Sequence, residues 1–115
     1  MKLCQPGLKK FEEHYEEHKD KPFFGRITKW AAQGPVLAMV WEGDNVIATG
    51  RKIIGATNEL DRNPGTIRGD LSLITQNSLI HGSDSVESAK REINLWFTET
   101  EQVSWESQSK KWVYE

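Results

Sequence analysis

The chain holds a single cysteine, Cys4, among 115 residues, so no disulfide can form within it. That cysteine usage suits a reducing compartment, and "MKLCQPG" has none of the features of a secretory leader, so a cytoplasmic location is expected. No apolar run approaches the roughly 20 residues that a membrane-crossing helix needs. Charge of one sign is lacking as well. A net charge of −2 gives no basic excess for a dedicated nucleic-acid binder, which makes that class of partner unexpected. There is no Walker loop or other glycine-rich phosphate fingerprint, so any phosphate would be held by side chains. Internal repeats, low-complexity tracts and linkers are absent too, and residues 1–115 read as one domain with a single modest core.

What is present is punctuated by Pro and Gly. After Pro6-Gly7, the spacing of Leu8, Phe11, Tyr15 and His18 predicts an amphipathic helix over 8–19. "FFGRITKWAAQ" follows Pro22 and places Phe23, Ile27, Trp30 and Ala31 on one helical face, closed by Gly34-Pro35. "VLAMVW", 36–41, reads as a strand buried on both faces. Val46, Ile47, Gly50, Ile53 and Ile54 stripe a third helix, and 55–77 reads as a long loop with short turns. A further strand is expected at 78–81. Asp84 with Glu87 then resembles a capping box, with Ser85 as the other candidate cap. Val86, Ala89, Ile93, Trp96 and Phe97 form the buried stripe of the helix that follows. The tail is expected to pack across the surface through Trp105 and Trp112. Together with a strand stub at 1–4, this leaves few neighbours for a strand buried on both faces.

His81 stands where the apolar run 78–81 gives way to that last helix. A lone histidine is most often a satisfied core or surface residue. This one precedes Gly82, which allows close approach, and a helix N-terminus, whose free N–H groups suit phosphate. It could act as base, metal ligand or nucleophile. No second His or Cys lies at ligand spacing, so a metal centre fits poorly and covalent phosphoryl transfer fits better. Arg51, Thr57 and Arg68 are candidate phosphate contacts, since guanidinium binds phosphate through paired charge-assisted bonds; surface arginines are the plainer reading. "RGD" at 68–70 matches an integrin-binding tripeptide, taken here as chance.

"IHGSDSVESAKREINLWF", "PGTIRGD", "GPVLAMVWEG", "KPFFGRITKW" and "WVYE" closely resemble nucleoside diphosphate kinases, over essentially the whole chain. The resemblance implies a ferredoxin-like α/β (α+β) fold, an antiparallel sheet packed with helices. It implies ping-pong exchange of a γ-phosphate between nucleoside tri- and diphosphates, with Mg²⁺ on the phosphates. By the same resemblance, His81 is the phosphorylated nucleophile, Glu92 orients its imidazole, and Tyr15 lies near it. Arg51, Thr57 and Arg68 take the phosphates, and Phe23 stacks on the base, a contact open to any base. Asp84 matches the aspartate near the metal and phosphates, and Ser83 a motif serine of less direct role. A homo-oligomer, hexameric or smaller, is implied, with the loop 55–69 at subunit contacts.

Two departures qualify this. The family's ribose-binding asparagine aligns with Ser78, and Asn77 lies one residue earlier, where a strand would point it to the opposite face. "MKLCQ" resembles the family's second strand, so the first strand, with its Lys-Pro-Asp motif, and the helix after it are expected to be missing, giving an N-terminally truncated fold. Loss of that lysine's phosphate contact is expected to cost about two to three orders of magnitude in rate. The alternative to an enzyme is therefore an impaired family member serving as a nucleotide-binding or oligomerisation module. A binding module for protein or single-stranded nucleic acid, suggested by the Trp and Lys residues of the tail, is a weaker alternative.

Overall fold

A computed structural model describes residues 1–74 and 79–114. Strands β1 (Lys2–Cys4) and β2 (Val36–Ala38) pair antiparallel, Lys2 opposite Ala38, Leu3 opposite Leu37 and Cys4 opposite Val36. Around this ribbon lie helices α1 (Leu8–His14), α2 (Phe24–Ala31), α3 (Val46–Ile54), α4 (Ile67–Leu71), α5 (Val86–Trp96) and α6 (Lys110–Val113).

The ribbon corrects the expectation of a strand at 36–41 buried on both faces. Strand side chains alternate between faces, and the opposed pair Leu3 and Leu37 points outward, 73% and 53% exposed. Met39, Val40 and Trp41 lie beyond the strand and are exposed as well. Among the described residues the sheet has only these two strands, and that face stays open.

Helix α1 packs on α5 through Phe11, whose ring meets that of Trp96 edge-on at 5.5 Å. Its last carbonyls would be orphaned at the helix end. Arg91 of α5 reaches across to take them, donating to the carbonyl oxygens of His14 at 3.1 Å and Glu13 at 3.4 Å. From the other side, Lys10 donates to the Leu95 carbonyl at 3.0 Å. The expected helix 8–19 breaks at Tyr15 and continues as a 3₁₀ turn, Glu16–His18. Phe11 and Phe97 are the buried apolar anchors, and the Lys2 ammonium sits 5.0 Å from the Phe97 ring centre. In α2 the buried residue is Thr28, whose hydroxyl donates to the Phe24 carbonyl at 2.9 Å, while Trp30 stays partly exposed.

The region 55–74 is a loop with short turns, as expected, plus a helix that the sequence did not suggest. Thr66 caps α4 by accepting from the Gly69 N–H at 3.0 Å. A Cβ on Gly69 would lie 2.0 Å from the Asn63 carbonyl oxygen, so only glycine fits there. Arg62 ties the loop together, donating to the carbonyls of Ala56, Thr57 and Ser72 at 3.2, 2.9 and 2.8 Å.

Three further expectations change. Among the described residues Leu79–His81 join no sheet; the Ile80 carbonyl is taken by Arg68, and that of Gly82 just beyond by Arg51. Ser85, not Asp84, caps α5, accepting from the Ser88 N–H at 3.0 Å. Trp105 and Trp112 do not pack: Trp112 is 81% exposed, and Trp105 is exposed too. No helix among the described residues is long and apolar enough to cross a membrane.

Candidate active site

Glu92 is the buried residue of α5, facing the gap between α1 and the segment before α5. A buried carboxylate is tolerated only with hydrogen-bond partners. Glu92 has two. His81 Nε2 lies 2.8 Å from Oε1, and the Ser83 hydroxyl donates to Oε2. Burial alone would raise the Glu92 pKa. The bonds from His81 and Ser83, with the histidine charges nearby, outweigh it and bring the carboxyl down to about 2. Glu92 is therefore an anion at neutral pH.

A second histidine completes the cluster. His14 Nε2 lies 3.6 Å from the same Oε1, and the His14 and His81 rings meet edge-on at 4.4 Å. The Trp96 indole N–H donates to His14 Nδ1 at 3.0 Å, which places the His14 proton on Nε2. Burial, then the His81 and Arg91 charges, bring the His14 pKa down to about 4 against the pull of Glu92, so the ring is neutral. Tyr15 closes the cluster, its ring 4.6 Å from His14 and 6.1 Å from His81. Burial, reinforced by Glu92 and opposed by Arg68, raises its pKa and keeps it a phenol.

His81 faces outward, its side chain 40% exposed. With the carboxylate against Nε2, the proton of the neutral ring sits on that nitrogen, and Nδ1 carries the lone pair.

The chain on either side of His81 is gripped by arginines. Arg68 donates to the Ile80 carbonyl at 2.9 Å, to Thr57 Oγ1 at 3.2 Å and to the Gly55 carbonyl at 3.2 Å. Arg51 donates to the Gly82 carbonyl at 3.1 Å. A Cβ on Gly82 would lie 2.5 Å from Ile54 Cδ1, so the close approach this glycine allows is to α3. Arg68 is only 4% exposed, which removes the "RGD" stretch as a surface ligand. Burial, then the Arg51 and Arg62 charges, lower its pKa from the usual guanidinium value.

The structure thus gathers His81, Glu92, Ser83, Tyr15, Arg51, Thr57 and Arg68. It does not bring every candidate in. Phe23 sits at the start of α2 with its ring 5.8 Å from His18, and no described contact joins it to His81. Asp84 is exposed at the bend before α5. Ser78 and Asn77 lie outside the described residues. His14 is the residue that sequence spacing missed. It is far from His81 along the chain, and its signal was its place one helical step after Phe11 and beside Tyr15.

His14, His81 and Glu92 bring their ligand atoms within 4.8 Å of one another, a spacing that could hold a metal. The chemistry argues otherwise, because both Nε2 atoms carry protons directed at the carboxylate. Mg²⁺ prefers oxygen ligands and keeps several waters. Asp84 presents an exposed carboxylate, a hard oxygen donor of the kind such ions take.

A family profile described as Nucleoside diphosphate kinase matches residues 1–102. The chain is 53% identical over 115 residues to a nucleoside diphosphate kinase of Crocosphaera subtropica, covering all of this chain and 77% of that protein. It is 52% identical to nucleoside diphosphate kinase 3 of Homo sapiens, covering all of this chain and 68% of that protein. Among solved structures, a halophilic nucleoside diphosphate kinase from Halobacterium salinarum in complex with CDP superposes with a TM-score of 0.92 at 43% identity, over 99% of this chain and 76% of that one. A nucleoside diphosphate kinase family protein from Babesia bovis gives 0.90 at 41%, over 98% and 76%.

Proposed function

This chain belongs to the nucleoside diphosphate kinase family, and on that premise we propose that it moves the γ-phosphate of a nucleoside triphosphate to a nucleoside diphosphate through a phosphohistidine at His81. The observation that carries this reading is the Glu92 carboxylate 2.8 Å from His81 Nε2, which leaves the lone pair on the other nitrogen of an exposed ring.

In the first half-reaction, His81 Nδ1 attacks the γ-phosphorus. The N–P bond forms as the bond to the β–γ bridging oxygen breaks, and the nucleoside diphosphate leaves. The ring keeps its Nε2 proton, so it gains positive charge, and Glu92 is the counter-charge already in place. In the second half, a terminal oxygen of the acceptor diphosphate attacks the same phosphorus, the N–P bond breaks, and the lone pair returns to Nδ1. Ser83 holds the far oxygen of Glu92 in register.

Arg51 and Arg68 grip the backbone that carries His81, Thr57 accepts from Arg68, and the three supply positive charge and a hydroxyl for the phosphates. Mg²⁺ carried on the nucleotide phosphates would neutralise charge there, and Asp84 would be its protein partner. Phe23 offers a face for the base, and Ser78 or Asn77 a contact for the ribose. Residues 1–115 act as one domain, in a cytoplasmic homo-oligomer of up to six copies.

The test is steady-state exchange with GTP and dTDP. A covalent intermediate requires parallel double-reciprocal plots as both substrates are varied. Intersecting plots would mean direct transfer and remove the phosphohistidine.

A further inference from the structure

We propose that His14 is a positioning residue of this site: from its buried side it holds the Glu92 carboxylate so that His81 keeps its proton on Nε2. The inference rests on the reading of His81 as the nucleophile and deepens it.

Glu92 lies between two histidines of opposite exposure, His14 buried and His81 open. The Trp96 indole satisfies the His14 Nδ1 acceptor, and the buried ring still carries an N–H that needs an acceptor. That bond also fixes which nitrogen carries the His14 proton. With Nδ1 accepting from the indole, the Nε2–H is directed at Glu92 Oε1, 3.6 Å away. At that length it is a charge–dipole contact rather than a full hydrogen bond. Catalytic contacts often tighten only in the substrate complex.

Trp96 and Glu92 stand one helical turn apart on α5, so His14 touches both on a single face. Its own backbone is clamped to the same helix by Arg91. The carboxylate therefore meets His81 and His14 at one oxygen and Ser83 at the other. Without His14, Oε1 would keep only His81 as a partner, and the carboxylate would turn more freely about its bond from Ser83. His81 would then be free to take either tautomer, and the Nδ1–H form has no lone pair on the outward nitrogen.

The test is the tautomer of His81 in the nucleotide-free protein, read by ¹⁵N NMR of the imidazole nitrogens. The wild type should show His81 as the Nε2–H form alone. His14→Asn retains an acceptor for Trp96 but lacks a donor that reaches Glu92. It should give mixed His81 tautomers and a rate of phosphoenzyme formation roughly tenfold lower, with KM for ATP unchanged. His14→Gln, whose amide can reach Glu92, should restore most of both.

Pure Nε2–H His81 in His14→Asn would overturn the proposal. Should that variant not fold, His14→Phe, which keeps a ring but has no donor for Glu92, is read in the same way, and an unchanged His81 tautomer there overturns the proposal equally. The NMR readout needs no turnover. A wild type that takes no phosphate would thus refute the nucleophile reading separately.

Discussion

Arg51 and Arg68 hold the two carbonyls that bracket His81: Arg51 donates to Gly82 at 3.1 Å and Arg68 to Ile80 at 2.9 Å. Arginines from α3 and α4 thereby fix the backbone of the reactive residue and place positive charge beside it. Structure and electrostatics share the same side chains.

The two arginines should separate on mutation. Arg68 is buried with three acceptors, so Arg68→Ala leaves carbonyls unsatisfied and should lower stability by about 3 kcal/mol. Arg51 makes one such bond, and Arg51→Ala should cost about 1 kcal/mol while raising KM for nucleotide. Urea unfolding of both variants checks this; equal losses would contradict it.

Gly69→Ala should destabilise by about 3 kcal/mol or more, because the new Cβ would sit 2.0 Å from backbone that cannot swing aside. Gly7→Ala, with open space around its Cβ, is the control and should change the unfolding midpoint little.

Glu92→Gln keeps the size of the side chain but removes the charge opposite His81. It should lower kcat by about a hundredfold, with a smaller effect on KM. Ser83→Ala removes one donor to the same carboxylate and should cost about tenfold in kcat. Steady-state kinetics would tell the two apart, and a larger effect of Ser83→Ala would be inconsistent with this geometry.

Acid should weaken the fold in two steps of the same sign. His14 has its pKa lowered from 6.5 to about 4, so below pH 6.5 the unfolded chain takes the proton first and stability falls until about pH 4. Glu92, lowered from 4.5 to about 2, contributes fully above pH 4.5, and that contribution is lost as pH falls towards 2. Urea midpoints should decline from pH 6.5 downward. A flat profile between pH 6.5 and 5 would contradict a buried, neutral His14.

Much of the site was legible because its chemistry lies in short local patterns. The His-Gly-Ser-Asp stretch marked His81, and the family resemblance, rather than helical spacing, pointed to Ser83 and Glu92. His14 escaped because it meets His81 only through the packing of α1 on α5, a contact between residues far apart in sequence. The sheet was read least well. "VLAMVW" is apolar enough for burial on both faces, but burial depends on what covers a strand, and Leu37 faces outward, half exposed. The arginine grip on residues 80 and 82 was also invisible, since an apolar run ending in histidine suggests a strand, whereas side chains satisfy its carbonyls.

The most direct measurement is transfer of label from Mg²⁺ and γ-labelled ATP to the protein. The account predicts one acid-labile, base-stable phosphate on His81, absent from a folded His81→Asn variant and discharged by GDP. Label that survives in His81→Asn, or a folded wild type that takes none, would contradict it.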